Sequence, residues 1–450
     1  MSTPSKRFPP TARGVCLAVL SAFEQNLSRP QPLRLKADQL LGEQLGRCRP
    51  ELSGADRALA RQLMMTALRH WPMHNEWMLL QSGARRLKDI PPLSRSLLRL
   101  GMVQLSAMDQ VPDYAAIDET IRLARALKTP TRAIGFLNGM LRGIQRRRDA
   151  GDLPRASDQQ VQGIPRWFLD LLASRQPGTP EVDLIARIQT PKALTLRVNT
   201  LQVTPQAYQQ TLEAADIAWL PLASDHPELL VLPGWQGNPA TLPGFAEGQI
   251  YLQDPHSAAV AYAVAPRAGM RILDACAAPG SKTTHMAALS ANQARITALE
   301  PMPERAGQLQ ENCSRLGAQG VTIHGQSLAD YAATATDLPE GGFDAVLVDA
   351  PCSGLGTVRQ HPEILLQCSP AAMPAFTAKQ WELLQTAGSL VREGGTLVYS
   401  TCSVHPAENE ELIDRYLAAH PQFSLNRESG LPLSAHGDGF YLAVLTRRAD

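Results

Sequence analysis

The sequence predicts three parts in succession. These are an all-helical module over residues 1–155, a small α/β connector over 156–245, and, over 246–450, an α/β domain built on a doubly wound parallel sheet. Three observations carry the prediction. Apolar residues recur at helical spacing from about 11 to 148. A polar, Pro- and Gly-bearing stretch, Ala150 to Gly163, then breaks the pattern. From about Arg271, short apolar runs alternate with helical patterns. At 450 residues the chain exceeds one ordinary core, so two or three domains are expected.

In the first part, Val15, Val19, Leu20, Phe23 and Leu27 make one helical stripe. Leu59, Leu63, Met64, Leu68 and Trp71 make the next, after a capping turn at Ser53 to Asp56. Leu97, Leu98, Met102 and Leu105 form a third, and Pro112 separates it from Ile117, Ile121, Leu123 and Leu127. Phe136, Leu137, Met140, Leu141 and Ile144 close the series. Stripes of this kind are core faces. In the connector, Pro165 to Ala173 predicts a short helix, Ala193 to Asn199 a strand, and about 205–214 a helix. In the third part, Arg271–Ala275, Ile296–Glu300, Val321–His324, Ala345–Asp349 and Thr396–Thr401 are strands. Helices at about 282–290, 303–316, 372–392 and 407–419 separate most of them, and Gly439 to Leu445 adds a closing strand.

Composition bounds the function classes. The chain is 44% hydrophobic and 19% charged, and no apolar run reaches the ~18–20 residues of a membrane-spanning helix. The stretch Val15 to Phe23 continues a helical pattern without a cleavage site, which argues against a signal peptide. Seven scattered cysteines without a Cys-x-x-Cys pair exclude a disulfide framework and point to a reducing cytoplasm. The net charge of +1 conceals an asymmetry. Residues 1–155 hold 25 Lys and Arg against 13 Asp and Glu, whereas the remainder holds 18 against 29. A basic module on an acidic partner fits the handling of a polyanion. Arg146, Arg147 and Arg148 near its end read equally as a nucleic-acid patch or as cations at a helix C-terminus.

The chemistry lies at strand ends. The first strand of the third part runs into Asp274-Ala275-Cys276-Ala277-Ala278-Pro279-Gly280-Ser281-Lys282-Thr283. This turn lacks the spacing of a phosphate loop and of the dinucleotide fingerprint. One glycine before a helix N-terminus suits an anion other than a pyrophosphate, such as the methionine carboxylate of S-adenosylmethionine. Glu300, after the second strand, can accept ribose hydroxyls. Asp349-Ala350-Pro351-Cys352 and Ser400-Thr401-Cys402 each set a thiol just past a strand. If those strands are neighbours, the thiols share a cleft. His361 and His405 add too few ligands for a zinc site, so no metal is expected. Two thiols beside a methyl-donor turn suit methylation at carbon 5 of a cytosine. A thiolate added to carbon 6 activates carbon 5, an acid such as Asp349 takes the charge near N3, and a second thiol assists release.

These residues resemble the bacterial ribosomal RNA cytosine-5 methyltransferase B family. Leu137-Asn138-Gly139-Met140-Leu141-Arg142, Arg197-Val198-Asn199, Pro243-Gly244-Phe245, Gln253-Asp254 and Asp438-Gly439-Phe440 extend the resemblance over nearly the whole chain. It implies a NusB-like RNA-binding domain and a Rossmann-like methyltransferase domain acting on 16S ribosomal RNA. The cofactor it implies is S-adenosylmethionine, and the protein is expected to be a cytoplasmic monomer. It also implies that Cys402 is the nucleophile and Cys352 the release residue. Cys276, Ala277, Ala278, Pro279, Gly280, Ser281, Lys282, Glu300, Ser327 and Asp349 would contact the cofactor. Three positions differ from the family's usual residues. Glu300 replaces Asp, Ser327 stands where an acid near the adenine is usual, and Leu365-Leu366 replace Lys-Trp. Methylation of transfer RNA and a non-catalytic assembly factor are the rival readings.

Overall fold

Thr11 opens the first helix by accepting the Gly14 N–H on its hydroxyl at 3.1 Å, and α1 runs Ala12–Asn26. The computed structural model describes residues 8–27, 36–108, 110–153, 164–222, 225–235, 237–336 and 338–449. Six more helices follow: α2 (Ala37–Gly46), α3 (Gly54–Arg69), α4 (Trp71–Ser82), α5 (Pro92–Ala107), α6 (Asp113–Ala126) and α7 (Thr131–Ala150). The Ser53 cap accepts the Asp56 N–H at 3.1 Å, as its sequence context suggests. Trp71 does not continue the α3 stripe: the helix ends at Arg69, and α4 restarts with Pro72 in its first turn. The stripes meet in one core that buries Phe23, Leu63, Leu98, Ile117 and Leu141, whereas Phe136 is 37% exposed. Most of the expected linker, residues 154–163, lies outside the described residues.

The connector consists of α8 (Arg166–Arg175), α9 (Glu181–Gln189), β1 (Leu194–Val198), α10 (Pro205–Ala214), β2 (Leu220–Pro221), β3 (Leu229–Leu232) and β4 (Ile250–Leu252). Its antiparallel sheet has the order β2-β3-β1-β4. The sheet thus takes its last strand from beyond residue 245. The larger domain comprises α11 (Pro255–Val264), β5 (Arg271–Asp274), α12 (Ser281–Leu289), β6 (Arg295–Leu299), α13 (Pro303–Leu316), β7 (Val321–His324), α14 (Leu328–Thr334), β8 (Phe343–Asp349), α15 (Ile364–Gln367), α16 (Met373–Ser389), β9 (Val391–Thr401), α17 (Glu410–Ala419), β10 (Phe423–Leu431) and β11 (Phe440–Arg447).

Its seven strands lie in the order β10-β11-β9-β8-β5-β6-β7. The five from β9 to β7 are parallel, as expected, while the closing strand β11 runs antiparallel to β9 and brings an unanticipated partner, β10. Alternation with period two sends side chains to both faces. Ile272, Ala345, Leu347 and Val398 join a cluster with Val260 of α11 and Met286 of α12. Leu273, Val346, Val348 and Tyr399 join another with Tyr331 of α14, Leu384 of α16 and Ile413 of α17. Helices therefore cover both faces, the arrangement of a doubly wound domain. β9 starts five residues earlier than the sequence pattern suggests. Val391 pairs with Phe343, and residues 392–395 bulge out before Thr396 resumes pairing with Ala345.

The chain divides into two units, residues 1–166 with 361–368, and residues 167–360 with 369–450. The segment carrying α15 therefore belongs to the helical unit. There Glu363 Oε1 accepts the Ala37 N–H at 3.3 Å and Leu366 packs against the helical core. Apolar packing accounts for the leucine at position 366. Among the described residues no helix is long and apolar enough to cross a membrane.

Candidate active site

The parallel strands run β5, β6, β7 in one direction from the middle of the sheet and β8, β9 in the other. Chain ends diverge at β5 and β8, which opens a crevice at their carboxyl ends. Every sequence-predicted site residue lies at or beyond the carboxyl end of one of these parallel strands.

Asp274 ends β5, and its Oδ2 accepts the Thr283 hydroxyl at 2.7 Å, which binds the strand end to the first turn of α12. Its Oδ1 is buried without a partner among the described residues. Burial pushes this carboxyl up to about 6, Asp349 adds to the shift, and the Thr283 bond and Lys282 oppose it. Through the turn, the Ala277 N–H donates to Leu299 O at 3.0 Å. The Ala278 carbonyl accepts from Arg305 at 2.7 Å and the Pro279 carbonyl from Asn312 at 2.9 Å. Cys276 is partly buried, and desolvation raises its thiol pKa. Gly280 precedes α12 at φ +102°, and a Cβ there would stand 2.8 Å from Leu309 Cδ1. The positive φ at position 280 favours glycine, while a Cβ there would need only a small shift of the Leu309 side chain. No side chain caps the start of α12, and the first-turn amides of an uncapped helix suit an anionic acceptor.

Lys282 Nζ lies 2.7 Å from Asp349 Oδ2, and Asp349 Oδ1 accepts the Ser400 hydroxyl at 2.8 Å. Burial works against the Lys282 charge, but Asp349, Cys402 and Asp274 outweigh it and raise its pKa. Three elements are joined here: the start of α12 and the ends of β8 and β9. Strands β8 and β9 are indeed neighbours, with Asp349 opposite Ser400. The two thiols beyond them stand 3.4 Å apart, Cys352 Sγ to Cys402 Sγ. The Cys402 thiol bond and burial together push the Cys352 pKa well above its ordinary value.

Glu300 is buried past β6. Its Oε1 accepts the Met302 N–H at 3.0 Å and its Oε2 pairs with Arg305 at 3.1 Å, so Arg305 links it to the Ala278 carbonyl. Ser327 caps α14 at the edge of the sheet and donates to Asp330 Oδ2 at 2.6 Å. An acid therefore accompanies the serine after β7, although not in the position the sequence pattern favours.

Residues with no expected site role support these groups. Arg197, fully buried, donates to the Ser281 carbonyl and the Thr284 hydroxyl, both at 3.1 Å, and braces α12. Burial brings its guanidinium down to about 10. Lys192 bridges Asp254 and Asp438, two motif residues 184 positions apart. Lys192 is a lone cation in a polar stretch, so nothing in the sequence signals its burial.

Comparisons with known proteins give consistent matches. Residues 261–446 match the family described as 16S rRNA methyltransferase RsmB/F, residues 10–146 the NusB family, and residues 164–233 the Methyltr_RsmF/B-like ferredoxin-like domain. The chain is 34% identical to ribosomal RNA small subunit methyltransferase B of Sodalis glossinidius, over 92% of this chain and 95% of that protein. It is 33% identical to a probable ribosomal RNA small subunit methyltransferase B of Synechocystis, over 88% and 92%. Among solved structures, PH0851 shares the fold with a TM-score of 0.77 at 22% identity, over 99% of each chain. A methyltransferase homolog from Pyrococcus horikoshii aligns with a TM-score of 0.51 at 25% identity, over 64% of this chain and all of that one.

Proposed function

The chain belongs to the 16S rRNA methyltransferase RsmB/F family, and from that premise we propose that it methylates carbon 5 of a cytosine in small-subunit ribosomal RNA through a covalent bond between Cys402 and the base. The observation that carries this reading is the thiol pair at the ends of β8 and β9, 3.4 Å apart and next to the Lys282–Asp349 pair. S-adenosylmethionine supplies the electrophilic methyl group. The uncapped first turn of α12 after Gly280 suits its carboxylate, and Glu300 suits its ribose. Cys276 to Lys282 would line the methionine portion, and Ser327 with Asp330 the adenine side.

Carbon 5 of cytosine is a weak nucleophile. A Cys402 thiolate forms a bond to carbon 6, and the displaced electron pair moves toward N3, where the Asp349–Lys282 pair supplies a proton or hydrogen bond. Carbon 5 then takes the methyl group. Cys352, as its thiolate, takes the carbon 5 proton; the freed electron pair re-forms the C5–C6 double bond, and the sulfur–carbon 6 bond breaks with its pair returning to Cys402. The 3.4 Å separation of the sulfurs keeps Cys352 beside the adduct that Cys402 would form, which supports the division of labour. A ribosomal RNA substrate puts the reaction in the cytoplasm, where the basic helical module would hold the RNA.

Two experiments test the proposal. Mapping 5-methylcytosine after incubation with S-adenosylmethionine and both ribosomal and transfer RNA should give a new site in the 16S RNA; a new site only in transfer RNA overturns the substrate assignment. In denaturing gels, Cys352→Ser should accumulate a protein–RNA adduct and Cys402→Ser should form none. Adducts with Cys402→Ser would reverse the roles.

A further inference from the structure

Beneath the two thiol-bearing loops lies a carboxylate that the chemistry above leaves unused. Glu408 ends the short 3-10 turn Pro406–Glu408 between β9 and α17, and it is 0% exposed. Its Oε1 accepts the Ser353 N–H at 2.8 Å and Gln380 Nε2 at 3.0 Å. Its Oε2 accepts the hydroxyls of Ser353 and Ser403, each at 2.5 Å. Ser353 directly follows Cys352, and Ser403 directly follows Cys402. The residue after each thiol is therefore fixed to the same carboxylate oxygen, and the two serine oxygens stand 3.1 Å apart.

Further bonds make this a single clamp. Gln380 of α16, itself 0% exposed, also donates to the Pro351 carbonyl at 3.0 Å, and the Tyr399 hydroxyl donates to the Glu408 carbonyl at 2.8 Å. Burying a carboxylate away from any cation is costly, and no cation is among its four donors. A neutral amide would hold a purely structural junction with less desolvation. A carboxylate differs in being acceptor-only at both oxygens, so all four donors must point inward. That fixes both serines, and with them the backbone on which each sulfur rides.

We propose that Glu408 is a positioning residue for the two-thiol reaction, a carboxylate on which the Cys352 and Cys402 loops are both held so that their sulfurs stay in contact. This rests on the two-thiol reading above. Misplacement by about 1 Å can cost ~100-fold in rate, so one clamp beneath two reacting groups has large leverage.

The test compares the full-length wild type with Glu408→Gln. The amide turns one acceptor into a donor, which faces either the serine hydroxyls or the Ser353 N–H and Gln380. Turnover should fall by ~100-fold while KM for S-adenosylmethionine and for RNA stays within about threefold. A second readout is independent of methylation. Diamide, whose N=N bond takes up two electrons and two protons, joins the wild-type thiols as a disulfide, and that reaction should be several-fold slower in the variant. Ser353→Ala with Ser403→Ala keeps the carboxylate but removes two ties, and should slow both reactions in the same order. Unchanged turnover and cross-linking in Glu408→Gln would overturn the proposal, as would a loss of cofactor binding that matches the loss of turnover. If Cys352→Ser accumulates no RNA adduct, the two-thiol reading fails, while the cross-linking comparison still reports whether Glu408 sets the spacing.

Discussion

Asp274 shows how much a single buried group can weigh. Its carboxyl rises from the ordinary 3.8 to about 6, so the folded protein holds this proton more tightly than the unfolded chain does. The associated stability is fully present below about pH 4 and is lost as pH rises through 6. Asp274→Asn keeps an acceptor for Thr283 but has no charge to bury. Without added cofactor it should gain on the order of 2–3 kcal/mol over wild type at pH 8 and almost nothing at pH 4, read from denaturant midpoints. An equal gain at both values would rule out the assignment. Asp274, Asp349, Cys352 and Cys402 were legible in sequence because each sits at a strand end, where the pattern changes, and Lys282 because it stands in the first turn of the helix after the first such strand. Glu408, Gln380 and Lys192 were not. Their importance comes from burial against residues up to 246 positions away, and local spacing carries no trace of that.

At the scale of elements, most boundaries set by periodicity agreed with the structure, and the start of β9 did not. α10 and α13 occupy the ranges that apolar spacing gives them. β10 reads Phe-Ser-Leu-Asn-Arg-Glu-Ser-Gly-Leu and is mostly exposed, so its only strong instruction to be a strand is the edge offered by β11. Capping shows the same division. Thr11 and Ser53 cap their helices from adjacent sequence, but α2 has no side-chain cap at Lys36, and Glu363 serves its Ala37 amide instead. Glu363→Ala should lower the stability of the helical unit by about 1 kcal/mol, a drop of roughly 2–4 °C in melting temperature. Glu363→Gln, which retains the acceptor, should lose less. An unchanged melting temperature in the alanine variant would mean that the bond contributes nothing.

For the whole molecule, the opposite charges of the two halves were visible from composition, but their use was not. Of the arginine run at the end of α7, Arg148 is bound to Asp113 at 2.9 Å and Arg147 to Gln81 at 3.0 Å, while Arg146 is exposed. Internal pairing thus occupies part of what looked like a nucleic-acid patch. Binding of 16S RNA by the intact protein should still weaken log-linearly with salt, by on the order of 10³ or more between about 50 and 200 mM if six or more phosphates are neutralised. Affinity independent of salt would remove the basic module as the RNA-holding part. The division into units also departs from chain order, because residues 361–368 complete the helical unit. A ribosome making this protein finishes Arg166 and must add about 200 more residues before Glu363 can reach Ala37. At roughly 5–20 residues per second, that is a wait of roughly 10–40 s. The helical unit is begun first and finished late, and its last piece emerges only after the strand ending in Asp349 and the Cys352 loop.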